Sequence, residues 1–319
     1  MTGTGNREQG AATVSTAPGS RLPAPGWLRV WVRAVRPFSF TASATPVIAG
    51  SAAAYAAGQF DAGLFLAALF GSVAIHAGAN LANDYYDHVR GVDTAESVGP
   101  SGVIQQGILS ARTVLAGALV AFAVGGILGL WLIAARGWPI LAVGVVSVLA
   151  GYAYTGGPLP LGYIGLGDAV VFVFMGLTTV LGAYYVQAGT ITATAGWAAF
   201  PVAALVTNIL VVNNIRDLEP DRRGGKRTLA TFIGRQASER EYLLLLYATY
   251  VSVVAGVMIG ALPVETLVVL TTIPLAIRVW TVVRTETEPR ALTRGGLRGT
   301  ALLHFLVGLL LSLGFVLKR

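Results

Sequence analysis

Three observations predict an all-α integral membrane protein, a bundle of nine transmembrane helices. Hydrophobic residues make up 55% of the chain and charged residues 12%, whereas a soluble domain carries about 25% charged residues. Apolar runs of about 20 residues, each long enough to cross a hydrocarbon core of about 30 Å, recur along the chain. The connections between them alternate between short and long, so all the long loops fall on one side. The runs place spans at residues 38–57, 62–83, 112–135, 138–155, 165–187, 194–213, 242–261, 264–283 and 299–317.

Residues 1–26 are small, polar and rich in Pro and Gly, with no basic stretch leading into an apolar one. They are expected to form a disordered tail ahead of one transmembrane domain at 27–319. The chain has no cysteine, which excludes disulfides, thiolate metal sites and thiol nucleophiles. Of its 22 Lys and Arg residues, only Arg136, Lys318 and Arg319 fall on the short-loop side. The positive-inside rule then puts the long loops and the amino terminus in the cytoplasm and, after nine crossings, the carboxyl terminus outside, in a cytoplasmic membrane. The net charge of +7 is accounted for by this topology and by attraction to anionic lipid. The lipid bilayer is therefore the expected partner, and nucleic acid is not.

Two acidic clusters concentrate the chemistry. In NLANDYYDHVRGVD, Asn80, Asn83, Asp84 and Asp87 are spaced i, i+3, i+4, i+7, one face of a helix that continues past span two. In NNIRDLEPDRRGGKRTLA, Asn214, Asp217 and Asp221 share a face after span six, with Pro220 expected to end or kink the helix. An even number of crossings separates the two, so both emerge on the cytoplasmic side. With Glu96 just after the first, seven of the 15 acids lie in or beside these segments. Facing carboxylates repel, whereas a hard divalent cation takes oxygen ligands from carboxylates and phosphates together. With Arg90, Arg216, Arg222, Arg223, Lys226 and Arg227 alongside, the charges suit a diphosphate bridged by metal. The histidines show no zinc-site spacing: His76 and His304 are read as satisfied interior residues, and His88 sits beside Asp87.

The two motifs resemble the paired aspartate motifs of the UbiA superfamily of intramembrane prenyltransferases. Gly91 stands four residues after Asp87, where the superfamily usually has an acid, and Asp93 follows two residues later. That departure resembles the branch of 1,4-dihydroxy-2-naphthoate polyprenyltransferases (MenA), as do GPSGVIQQGIL at 99–109 and YTGGPLPLGYIGLGD at 154–168. The resemblance implies a nine-helix bundle that transfers a polyprenyl group from polyprenyl diphosphate to 1,4-dihydroxy-2-naphthoate, with loss of CO₂ and diphosphate. It implies Mg²⁺, two or more ions, held by Asp84, Asp87, Asp217 and Asp221, with Asp93 at a shifted spacing. Asn80, Asn83 and Asn214 become neutral oxygen donors or groups that support the ligands from behind, and Lys226, Arg90 and Arg216 contacts to the diphosphate. Asp87, Asp217 and Lys226 are the expected catalytic centre.

The Gly-rich connection is either a flexible loop or a means of bringing Tyr154 and Tyr163 to a flat aromatic substrate. Asp168 reads as an acid suited to the positive end of a helix. The rival class is a membrane cation transporter, because acids and asparagines at membrane depth also line ion pathways. That reading calls for polar residues in both halves of the bundle, and the short-loop side carries only Asp61, Arg136, Glu265 and the extreme carboxyl terminus. Other naphthoates, homogentisate and 4-hydroxybenzoate are the alternative acceptors.

Overall fold

The computed structural model describes residues 26–89, 91, 101–155 and 160–318. The expected tail lies outside the described residues except for Gly26, as do Arg90, Asp93 and residues 156–159. Helix α1 (Trp27–Val35) buries Val30 and Ala34 and exposes Trp27, Leu28 and Val32. It ends at Arg36, the only described non-glycine residue with positive φ (58°). The 3₁₀ turn Pro37–Phe40 leads into α2 (Thr41–Ala56). There follow α3 (Ala62–Val89), α4 (Ala111–Arg136), α5 (Trp138–Thr155), α6 (Gly167–Ala188) and α7 (Ala193–Arg216). The short α8 (Leu218–Arg223) and α9 (Leu229–Ile233) precede α10 (Arg235–Met258), α11 (Val264–Thr285) and α12 (Pro289–Val316).

Among the described residues, seven helices, α3, α4, α6, α7, α10, α11 and α12, are long and apolar enough to cross a membrane. The other two expected spans are shorter. At about 1.5 Å per residue, the 16 residues of α2 cover roughly 24 Å and the apolar stretch Trp138–Tyr154 of α5 roughly 26 Å. The structure nevertheless pairs α2 with α3 in antiparallel fashion. Asp61 caps the start of α3 by accepting from Leu64 N at 2.8 Å, and at the far end Asn80 donates to Val35 O and Ser39 Oγ, both at 3.0 Å.

The expected short-loop face is also assembled. Gln187 at the end of α6 accepts from the Asp61 backbone N–H at 2.6 Å, and Arg136, after α4, donates to Gln187 O at 2.6 Å. Side chain and backbone at three helix ends thus satisfy groups that hydrocarbon would leave unpaired.

The core surrounds α7, whose apolar stretch is 72% buried against 17% for α4, which makes α7 the axis of the bundle. Small residues set the closest approaches. Gly50 of α2 lies against the Val180 carbonyl of α6, Gly308 of α12 against Thr45 of α2, and Gly314 against the Thr266 backbone of α11. These small residues are therefore structural, since helices in lipid gain stability from close van der Waals packing. Residues Val171–Thr178 of α6 take a π-helical register. His76 is satisfied, with Ser39 Oγ at 3.2 Å and Ser43 Oγ at 3.0 Å. His304 corrects its expectation: it is fully buried, but neither ring nitrogen has a hydrogen-bond partner among the described residues. Thr300, one turn earlier, shares its hydroxyl with Tyr242 at 3.0 Å instead.

Candidate active site

Helix α3 runs unbroken to Val89, so Asn80, Asn83, Asp84 and Asp87 do share one face. Asp84 is buried, with both carboxylate oxygens engaged: one pairs with the Arg36 guanidinium, the other accepts from the Ser101 hydroxyl. These contacts explain two features of the chain. The left-handed backbone at Arg36 turns the end of α1 toward α3, and the described part of the GPSGVIQQGIL segment, residues 101–109, folds back over the first acidic cluster. Val103 and Ile104 anchor that segment in a small core with Ala34, Leu81 and Val114, and Arg33 donates to Gln106 Oε1 at 2.9 Å. Asn83 and Asp87 are half-buried on the same face.

The second cluster forms where α7 breaks. Pro220 lacks an N–H and its ring blocks the carbonyl four residues earlier, and the helix stops at Arg216 with Asp217 as its C-cap. Arg216 grips Asp217 with two hydrogen bonds, Nε to Oδ1 at 2.7 Å and Nη2 to Oδ2 at 2.5 Å. Helix α8 then returns Asp221 toward the bundle, with its Oδ1 3.5 Å from Lys226 Nζ. The Lys226 ammonium also lies 5.5 Å from the Tyr163 ring centroid, a cation–π distance. The segment carrying Tyr163 is fixed to this loop by a parallel bridge between Ile164 and Arg227. The described part of the Gly-rich connection is thus docked at the site and not free. Tyr154 packs against Gly162 and Gly167, whose missing side chains leave room for its ring.

Asp168 and Glu241 extend this second cluster. Asp168 is buried, and Asn214 Nδ2 donates to both its oxygens at 3.4 Å. Glu241, half-buried near the start of α10, lies within electrostatic reach of Asp168. Tyr154 is within reach of Asp168, Asp221 and Tyr163 together. Reading Asp168 as an acid at a helix start captures its position but not its hydrogen bonds. Glu241 went unnoticed in the sequence; the signal was an acid followed at once by the apolar run YLLLLY.

Among the described residues, no three His, Asp or Glu side chains gather closely enough to cage a metal ion. Three of the expected ligands are each held by a cation instead: Asp84 by Arg36, Asp217 by Arg216 and Asp221 by Lys226. The donor set still suits Mg²⁺. It consists of carboxylate and amide oxygens, and Asp221 Oδ2 is buried with no hydrogen-bond partner among the described residues, a cost that a hard cation would relieve. Burial raises the Asp221 carboxyl above the usual carboxylate range, while Lys226 pulls it down. The expected ligand Asp93 and the expected diphosphate contact Arg90 lie outside the described residues.

Oxygen donors and cations clustered at one end of a helical bundle define an integral membrane protein that handles a polyanion at the membrane face. Residues 43–316 match the UbiA prenyltransferase family, and the chain belongs to that family. It is 35% identical over 284 residues to the 1,4-dihydroxy-2-naphthoate octaprenyltransferase of Bacillus subtilis strain 168, covering 89% of this chain and 91% of that protein. It is 37% identical over 254 residues to the protein of the same name from Mycobacterium tuberculosis H37Rv, covering 78% and 84%. The fold resembles that of a UbiA homologue from Archaeoglobus fulgidus solved with DMAPP and Mg²⁺, with a TM-score of 0.60 at 16% identity over 88% of this chain and 98% of that one.

Proposed function

We propose that this chain transfers a polyprenyl group from polyprenyl diphosphate to 1,4-dihydroxy-2-naphthoate, releasing CO₂ and diphosphate and giving demethylmenaquinol for menaquinone biosynthesis. The observation that carries this is the likeness to the two octaprenyltransferases, which runs through both acidic motifs and most of each chain. Asp84, Asp87, Asp217 and Asp221, with Asp93, would hold two or more Mg²⁺ ions, and the metal would supply charge stabilisation for the departing diphosphate.

The chain's own cations do the rest of the electrostatic work. Lys226, Arg216 and Arg90 are placed in the motifs to take diphosphate oxygens, and Lys226 and Arg216 would exchange their present carboxylate partners for phosphate once metal neutralises those acids. As the allylic C–O bond breaks, the developing carbocation needs a water-free cavity with aromatic faces; Tyr154 and Tyr163 offer those faces. The ring carbon bearing the carboxylate attacks the allylic carbon, and the carboxylate leaves as CO₂ with its bonding electrons returned to the ring. Asn80, Asn83 and Asn214 would contribute neutral oxygens beside the carboxylates, and the Asn214 amide already positions Asp168.

We further infer nine crossings of a cytoplasmic membrane, α2 and α5 included, with the amino terminus and the site on the cytoplasmic side. The antiparallel pairing of α2 with α3 supports this. The test is product formation by detergent-purified protein given geranylgeranyl diphosphate, Mg²⁺ and, in parallel, 1,4-dihydroxy-2-naphthoate or 4-hydroxybenzoate, with an EDTA control. EDTA-sensitive prenylation of the naphthoate alone is the expected result. Prenylation of the benzoate instead would reassign the acceptor.

A further inference from the structure

We propose that α1 is a membrane-surface helix that selects anionic phospholipid, on the face of the bilayer from which the first acidic cluster emerges. The helix has three sectors, because residues four apart stack on one another. Val30 and Ala34 are buried against the bundle. Leu28 and Val32 form one exposed flank, continued by the exposed Trp27, whose ring meets that of Trp31 edge-on at 6.3 Å between centroids. Arg29 and Arg33 form the other flank, and both are exposed. Exposed Trp, Leu and Val on one side with arginines on the other are the pattern of a helix lying in the plane of the interface.

The depth of α1 fits that plane. Its Trp31 ring lies against Gly117 of α4, six residues on from Ala111 and so roughly 9 Å inside that helix at about 1.5 Å per residue. Ala34 packs with Leu81 of α3, eight residues before Val89 and so roughly 12 Å from the end of that helix. Helix α3 carries no Asp, Glu, Lys or Arg from Ala62 to Asn83 and turns acidic at Asp84, and α4 carries none between Arg112 and Arg136. Helix α1 is therefore level with the apolar-to-polar boundary of both, where tryptophans anchor membrane proteins. Its rotation is fixed as well. Arg33 donates to Gln106 in the loop over Asp84, and Arg36, at the end of the helix, pairs with Asp84 itself. The basic flank thus faces the polar side, which turns Leu28 and Val32 toward hydrocarbon.

Charge selects the headgroup. From Trp27 to Phe60 the chain has three arginines and no acid. Arg36 is committed to Asp84 and Arg33 to the loop, whereas Arg29 is exposed and paired with no described residue. Its guanidinium matches a lipid phosphate, and phosphatidylglycerol offers that phosphate without the ammonium group of a zwitterionic lipid, which would repel it. Through Arg33 and Arg36 the same helix ties the membrane surface to the loop over the first acidic cluster. The inference does not depend on the reaction proposed above.

Because the chain has no cysteine, Leu28→Cys in the full-length protein gives a single site for a fluorophore. The labelled protein is reconstituted into vesicles of equal parts phosphatidylcholine and phosphatidylglycerol, with a trace of spin-labelled phosphatidylcholine or spin-labelled phosphatidylglycerol as the lipid quencher and acrylamide as the aqueous one. The expected result is quenching by the lipids and shielding from acrylamide, with labelled phosphatidylglycerol about fivefold more effective, the equivalent of about 1 kcal/mol for a basic residue near a charged surface. Adding Arg29→Gln should bring that ratio close to one while leaving the melting temperature and the quenching by labelled phosphatidylcholine unchanged. Quenching by acrylamide in place of lipid would show that the flank faces water, and protection from all three quenchers would show that protein covers it. Either result overturns the proposal. Equal quenching by the two labelled lipids before Arg29 is changed, or a preference that survives Arg29→Gln, would overturn the selection of anionic lipid by this helix.

Discussion

At the scale of single residues, Asp84, Asp217 and Asp221 each have a partner that a polyanion and its metal must replace. Asp217 is held by Arg216 through two hydrogen bonds, and Asp221 by Lys226. Asp87→Asn and Asp217→Asn keep the side-chain shape and remove the charge. Each should lower prenyl transfer by about a hundredfold or more, the range for losing a group that stabilises transition-state charge, with gel-filtration behaviour and melting temperature unchanged. Near-wild-type turnover in both purified variants would refute the metal roles. Asp221 adds a pH dependence. Burial raises its carboxyl above the ordinary range and Lys226 opposes the rise, so the folded protein holds this proton to higher pH than the unfolded chain. Its contribution to the stability of the metal-free fold therefore declines as pH rises through that window. Metal affinity moves the other way, because the cation must displace the proton, and below the raised value it should fall by up to about tenfold per pH unit. Lys226→Met removes the opposing charge and should move this fall to higher pH in direct Mg²⁺ titrations. A fall that stays put, or moves to lower pH, would show that Lys226 does not act on Asp221.

At the scale of elements, what the sequence revealed depended on how local the signal was. The Asn80, Asp84 and Asp87 face was readable because helix periodicity needs only neighbouring residues, and the break at Asp217 because proline acts on its own helix. Arg36 and Ser101 escaped notice as partners of Asp84 because they lie 48 and 17 residues away and are brought in by a left-handed turn and a folded-back loop. The π register of Val171–Thr178 left no trace, since a uniformly apolar run reads the same in either register. Glycines divide in the same way. Gly50 and Gly182 both look like small residues of apolar helices, but a methyl at Gly50 would strike the Val180 carbonyl, whereas nothing lies within 4 Å of one at Gly182. Gly50→Ala should destabilise the bundle by about 1–3 kcal/mol, the usual cost of overpacking. Gly182→Ala should be neutral or stabilising by up to about 1 kcal/mol through helix propensity. Thermal unfolding in detergent tests the pair, and equal midpoints would mean that the α2–α6 seam yields.

At the scale of the molecule, the class of protein was set by composition and the charge asymmetry of its loops, while the number of crossings hangs on the two shortest of the expected spans, α2 and α5. The two acidic clusters can share a membrane face only if α5 crosses, because α4, α5, α6 and α7 lie between them. If α5 lay in the interface, three crossings would separate the clusters, and the loop that covers Asp84 would emerge on the face opposite Asp217. Contacts at the two ends of α5 argue against this: Arg136, just before it, reaches Gln187 at the end of α6, whereas Tyr154, at its other end, packs against Gly162 and Gly167 at the start of α6. The absence of cysteine makes the test direct. Single cysteines replacing the exposed Gln59, Gln106 and Gln236 report the α2–α3 turn, the loop over Asp84 and the first turn of α10. With nine crossings, a membrane-impermeant maleimide applied to intact cells should label Gln59→Cys, whereas Gln106→Cys and Gln236→Cys should react only after permeabilisation. Labelling of Gln106→Cys in intact cells with Gln236→Cys still protected would put the acidic clusters on opposite faces, and a shared diphosphate site would be impossible.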